Sequence, residues 1–173
     1  MAARAIVGIA LGMLFAPIAW MLLYSINQTV GSPNVFSTWW WTLFGSGDFT
    51  GWIQWYLMYG TFSMYAPLTG ATSLIEGFGS GSLLTTFWPL WGASCVTWVL
   101  VGMWAGAIER SPGRGLGVGA GIWLGWVIIE VIYAAIVGSI GSIGTMLLYQ
   151  VLTLILVIIV AVVFGAMTKS EEF

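Results

Sequence analysis

The four basic residues of this chain are placed so that they set its topology. Arg4 precedes the first long apolar run, Arg110 and Arg114 lie between the second and third, and Lys169 follows the last. There is no other Lys or Arg. A helix that crosses the hydrocarbon core needs about 20 predominantly apolar residues. Runs 5–25, 87–108, 116–138 and 144–167 are of that kind. If all four cross, every positive charge falls on one side. The positive-inside rule then puts that side, with both termini, in the cytoplasm.

Composition leads independently to a membrane. The chain is 60% hydrophobic and 6% charged, with a mean hydropathy of +0.99. A soluble domain carries about 25% charged residues. The net charge of −2 offers no basic patch, so no nucleic-acid partner is expected. Cys95 is the only cysteine, so no disulfide forms within the chain. Arg4 and the run ending near Ala16, Pro17, Ile18 and Ala19 have features of a signal peptide, but the segment is read as the first span.

The two halves of the chain differ. Residues 87–173 are almost all spanning helix. The link at 109–115 carries Pro112 and Gly113 and reads as a turn. The link at 139–143 is barely long enough to reverse direction, so the third and fourth spans form an antiparallel hairpin. Residues 26–86 hold two charges, Asp48 and Glu76, together with Trp39, Trp40, Trp41, Trp52 and Trp55. Tryptophan favours the membrane–water boundary because its ring is apolar and its N–H seeks a partner. Segments 35–44 and 51–66 are therefore expected to be short helices lying on the outer leaflet or dipping into it. The stretch 73–86 is an irregular return. A fifth span over 52–74 is the alternative. The run Gly60, Thr61, Ser63, Pro67, Thr69 and Gly70 disfavours it as a lipid-facing helix.

The expected fold is thus an all-α integral membrane protein, one domain over 1–173. It is an antiparallel four-helix transmembrane bundle beneath a Trp-rich extracytoplasmic cap (26–86) of short interfacial or re-entrant helices. Small residues let helix backbones approach closely in lipid. Gly113, Gly117, Gly121 and Gly125 recur every fourth residue on the third span, Gly102 and Gly106 mark the second, and Gly8, Gly12 and Ala16 mark the first. These ridges are the expected packing faces. Pro17 removes a backbone donor and is expected to bend the first span.

Glu130 is the one charge inside an apolar run, and an ionisable group there is by default a functional-site candidate. At about 100° per residue it lies opposite Gly121 and shares a face with Trp123, Trp126 and Tyr133. Counting from the hairpin at 1.5 Å per residue puts Glu130 and Gln150 roughly 9–12 Å below its outer end. Thr153 lies slightly deeper, and Ser94 and Thr97 fall at a similar level. An intramembrane polar layer of Glu130, Gln150, Thr153, Ser94 and Thr97 is expected. It serves either as an interhelical clamp or as part of an ion or proton path.

What is missing narrows the chemistry. With no histidine and one cysteine, His-ligated haem, His-based metal sites, Cys-ligated clusters and a His general base are all excluded. No GxSxG or P-loop occurs. Asn27, Gln28 and Thr29 match a glycosylation sequon but abut the first span. No enzymatic activity, cofactor or metal is expected. The expected role is a non-catalytic structural or assembly subunit of a membrane complex. Its partners are membrane lipids and either copies of itself (a homo-oligomer) or other membrane subunits. The alternative is a small oligomeric channel or transporter with Glu130 lining its path. No residue motif ties the chain to a family. The four spans, long first outer segment and short second one resemble the claudin-like layout in topology alone, without that group's paired outer cysteines.

Overall fold

The computed structural model describes residues 2–26, 34–61, 63–64, 92–137, 141 and 143–169. Among these residues every regular element is helical. The elements are α1 (Ala2–Ser25), α2 (Val35–Phe44), α3 (49–61), α4 (Ala93–Glu109), α5 (Pro112–Val137) and α6 (Ile143–Met167). Helices α1, α5 and α6 are each long and apolar enough to cross a membrane, while α4 is a shorter apolar helix of 17 residues. The sequon, the return 73–86, residues 87–91 and the outer part of the alternative span 52–74 lie outside the described residues.

Local chemistry explains the element ends. The Asn34 side chain accepts a hydrogen bond from the Ser37 N–H at 3.1 Å and caps α2. Gly47 turns the chain at φ +69°, and Asp48 then caps α3 by accepting from the Gly51 N–H at 2.8 Å. Helix α4 closes on Arg110 in the left-handed region, φ 49°. Pro112 opens α5, where its missing N–H costs nothing.

Contacts fix the helix directions. Gly8 and Gly12 lie against Val118 and Ile122, so α1 and α5 run parallel. The Trp104 indole donates to the Gly8 carbonyl at 3.1 Å and the Trp20 indole to Ser94 Oγ at 2.8 Å, so α1 and α4 run antiparallel. Gly102 and Gly106 lie against Val157 and Ala161, so α4 and α6 run parallel. Arg4, Arg110, Arg114 and Lys169, all exposed, consequently gather at one end of the packing.

The distribution of polarity is inside-out. Ser63, Ser94, Thr97, Gln150 and Thr153 are fully buried, while Leu14, Ile128, Leu148 and Ile159 are each more than half exposed. A water-soluble chain buries such side chains; one that meets lipid leaves them outside. With three helices of spanning length, this points to membrane association.

Glycine spacing is used only in part. Gly121 and Gly125 face Ile9 and Met13 of α1, but Gly113 and Gly117 have nothing within 4 Å of a Cβ position. On α5 the close approaches fall also to Gly115, beside the Ala161 carbonyl and Gly106, and to Gly119, beside Ala161 and Ala105. The tightest crossing is α4 on α6. A Cβ on Gly106 would stand 2.6 Å from the Ala161 carbonyl and the Gly165 nitrogen. The open half of the α5 ridge points away from α1 because a helix turns about 100° per residue, so an every-fourth-residue stripe drifts round it.

Candidate functional site in the helix packing

Helix α3 enters the packing. It starts within an aromatic cluster, where Trp39 stacks on Trp52 with centroids 5.1 Å apart and its indole donates to the Trp52 carbonyl at 3.2 Å. Tyr59 stacks on Trp20 at 5.3 Å, and Trp55 tilts against Tyr59 at 5.5 Å. Trp40 and Trp41 point outward, 50% and 70% exposed. Farther along, Gly60 lies flat against the Trp126 ring, with no room for a Cβ. The Trp98 indole donates to the Ser63 carbonyl at 2.9 Å, and Thr153 Oγ1 to the Met64 carbonyl at 2.8 Å. Gly60, Ser63 and Met64 therefore sit among α4, α5 and α6.

One tie explains how α3 is held against α1. Pro17 lies inside α1 and offers no N–H to the Met13 carbonyl. The Tyr56 hydroxyl donates there, at 3.1 Å to Met13 O and 2.8 Å to Leu14 O. The one proton of the Tyr56 hydroxyl is thus shared between the nearer Leu14 carbonyl and the acceptor that proline leaves unused.

The polar residues singled out from the sequence divide into separate bonds. Gln150 Nε2 donates to Glu130 Oε2, joining α6 to α5. Glu130 is 3% exposed and Gln150 fully buried. The Trp123 indole donates to the Gln150 carbonyl at 3.2 Å from the same side of α5. Thr153, one turn from Gln150, bonds to Met64 rather than to Glu130. Ser94 accepts from Trp20, and Thr97 donates to Ala93 of its own helix at 2.8 Å. One carboxylate oxygen, Glu130 Oε1, and one amide oxygen, Gln150 Oε1, have no partner among the described residues, nor has the buried Trp126 Nε1. Comparison with family models, with curated proteins and with solved structures finds no match.

Sequence reasoning missed Tyr56, Gly60, Ser63 and Met64 as parts of this site. Their signal was the small, polar run from Gly60 to Ser63 inside an apolar segment. It marks backbone that packs on protein, not lipid. The indoles of Trp20, Trp98, Trp104 and Trp123 were also missed as ties. Each has one donor on a large apolar ring, which suits it to bond a carbonyl or hydroxyl on a neighbouring helix.

Among the described residues no group of three or more His, Cys, Asp and Glu could hold a metal ion.

Proposed function

We infer that this chain is an integral membrane protein that works as a non-catalytic assembly subunit, built into complexes with copies of itself or with other membrane subunits. Helices α1, α4, α5 and α6 form an antiparallel four-helix transmembrane bundle. Helices α2 and α3 form a Trp-rich extracytoplasmic cap, the second of them re-entrant. The end bearing Arg4, Arg110, Arg114 and Lys169 is cytoplasmic by the positive-inside rule.

The observation that carries the reading is the inside-out polarity of the packing, combined with outer surfaces suited to contact. Trp40, Trp41 and Phe44 stand exposed on α2, and Gly113 and Gly117 leave a stretch of α5 open to close approach. Mass measurement in native lipid tests it. A defined oligomer or a stable hetero-complex is expected. A lone monomer across several lipids contradicts it.

A second reading, a small oligomeric channel or transporter with Glu130 on its path, gains support from the burial of Glu130 against Gln150 between α5 and α6. A carboxylate buried among spanning helices is a recurrent element of transport paths. Ion flux through liposomes, for the native chain and for Glu130→Gln, separates the two. The assembly reading expects no flux from either. Flux that Glu130→Gln abolishes without loss of assembly establishes the second reading.

A further inference from the structure

We propose that Glu130 and Gln150 form a proton-binding site: a resident proton on Glu130 Oε1 donates to Gln150 Oε1 and closes an acid–amide pair between α5 and α6. Three observations converge on it.

The first is a pair of orphan atoms. Gln150 Nε2 donates to Glu130 Oε2. One oxygen is left over on each side chain, Glu130 Oε1 and Gln150 Oε1, and neither has a partner among the described residues. Both side chains are more than nine-tenths buried. Buried polar atoms without partners are few in native proteins, and each calls for an account. An ionised carboxylate and an amide oxygen are both acceptors, so neither can satisfy the other. One proton on the carboxyl turns two unmet acceptors into a donor and an acceptor.

The second is charge. Arg4, Arg110, Arg114 and Lys169 stand exposed at the other end of the packing, and Glu109 belongs to that end too. Asp48 is exposed, where it caps α3. The remaining ionisable groups on the described helices are Tyr24, Tyr56, Tyr59, Cys95, Tyr133 and Tyr149. These are phenols and a thiol, and none of them can carry a positive charge. A buried ionised carboxylate needs a positive partner, and the described residues offer Glu130 none. A proton removes that need.

The third is register. Trp123 and Glu130 lie two turns apart on α5, and both engage Gln150. The Trp123 indole takes the Gln150 backbone carbonyl at 3.2 Å, and Glu130 takes the side-chain amide. The backbone tie fixes where residue 150 stands against α5, so the acid and the amide face each other as a built pair. The proton comes from water and forms one O–H bond on Glu130. The pair is then neutral, which suits a site buried among spanning helices.

The inference goes beyond both functional readings and rests on neither. It is tested by the infrared spectrum of the full chain in lipid at neutral pH, without reference to oligomers or flux. A protonated carboxyl has a carbonyl stretch of its own, distinct from carboxylate and amide bands. The native chain is expected to show this acid band, shifted to lower frequency in heavy water. Glu130→Gln, which keeps a donor and an acceptor in place of the acid, is expected to lose it. Glu109→Gln is expected to retain it. Gln150→Met, unbranched and of similar length, removes the amide donor and is expected to move the band to higher frequency. A native chain with no acid band overturns the proposal, whatever the variants do. Survival of the band in Glu130→Gln overturns it equally. A band that Gln150→Met leaves in place overturns the pairing.

Discussion

Tyr56 and Pro17 show how a single residue can tie two elements together. The proline removes one donor from α1, and the tyrosine supplies another from α3. Tyr56→Phe is expected to cost about 0.5–1.5 kcal/mol, the net worth of a typical hydrogen bond. Unfolding in detergent measures it. In a Pro17→Ala background the same change is expected to cost less, because the helix then satisfies the Met13 carbonyl itself. Equal costs in both backgrounds would show that the two residues act independently. A second contrast concerns glycine. Gly106→Ala forces a Cβ against the backbone of α6 and is expected to cost about 1–3 kcal/mol. Gly117→Ala meets open space and is expected to stay within about 0.5 kcal/mol of the native chain. At this scale the sequence is readable where a partner lies on an adjacent helix. Counting from the hairpin brings Glu130 level with Gln150, and the two bond. It leaves Thr153, Ser94 and Thr97 unassigned, because their partners are a distant carbonyl, a tryptophan and their own helix.

The long helices were legible from hydropathy, and α2 from its aromatic run between Asn34 and Gly45. Helix α3 was half legible. A helix was expected over 51–66 and is found from 49, where Asp48 caps it, but its route into the packing was not legible. The small, polar run from Gly60 to Ser63 disfavours a lipid-facing helix, but nothing local says which helices it packs against. The answer rests on Gly60 against Trp126 and on the carbonyls of Ser63 and Met64, which are long-range contacts. An inserted α3 has a direct consequence. Its backbone amides over 55–61 are expected to exchange with deuterium as slowly as those of α4 and far more slowly than those of α2. Fast exchange throughout 49–61, with α4 protected, would put the helix at the surface. Helix α2, exposed along Trp40, Trp41 and Phe44, is the element expected to respond to lipid composition or to a partner.

At the scale of the molecule, four positive charges and four apolar runs determine the reading. Their gathering at one end follows from the alternating directions of α1, α4, α5 and α6, which the contacts establish. Which face of the membrane that end occupies comes from the charge rule alone. The most direct test is side-specific labelling in a Cys95→Ala chain in intact cells, using a membrane-impermeant thiol reagent on Asp48→Cys and Pro112→Cys. Asp48→Cys is expected to react from outside without disruption of the membrane. Pro112→Cys is expected to react only once the cytoplasmic face is opened. Reaction of Pro112→Cys from outside would contradict the topology and, with it, the proposed arrangement of spans and cap.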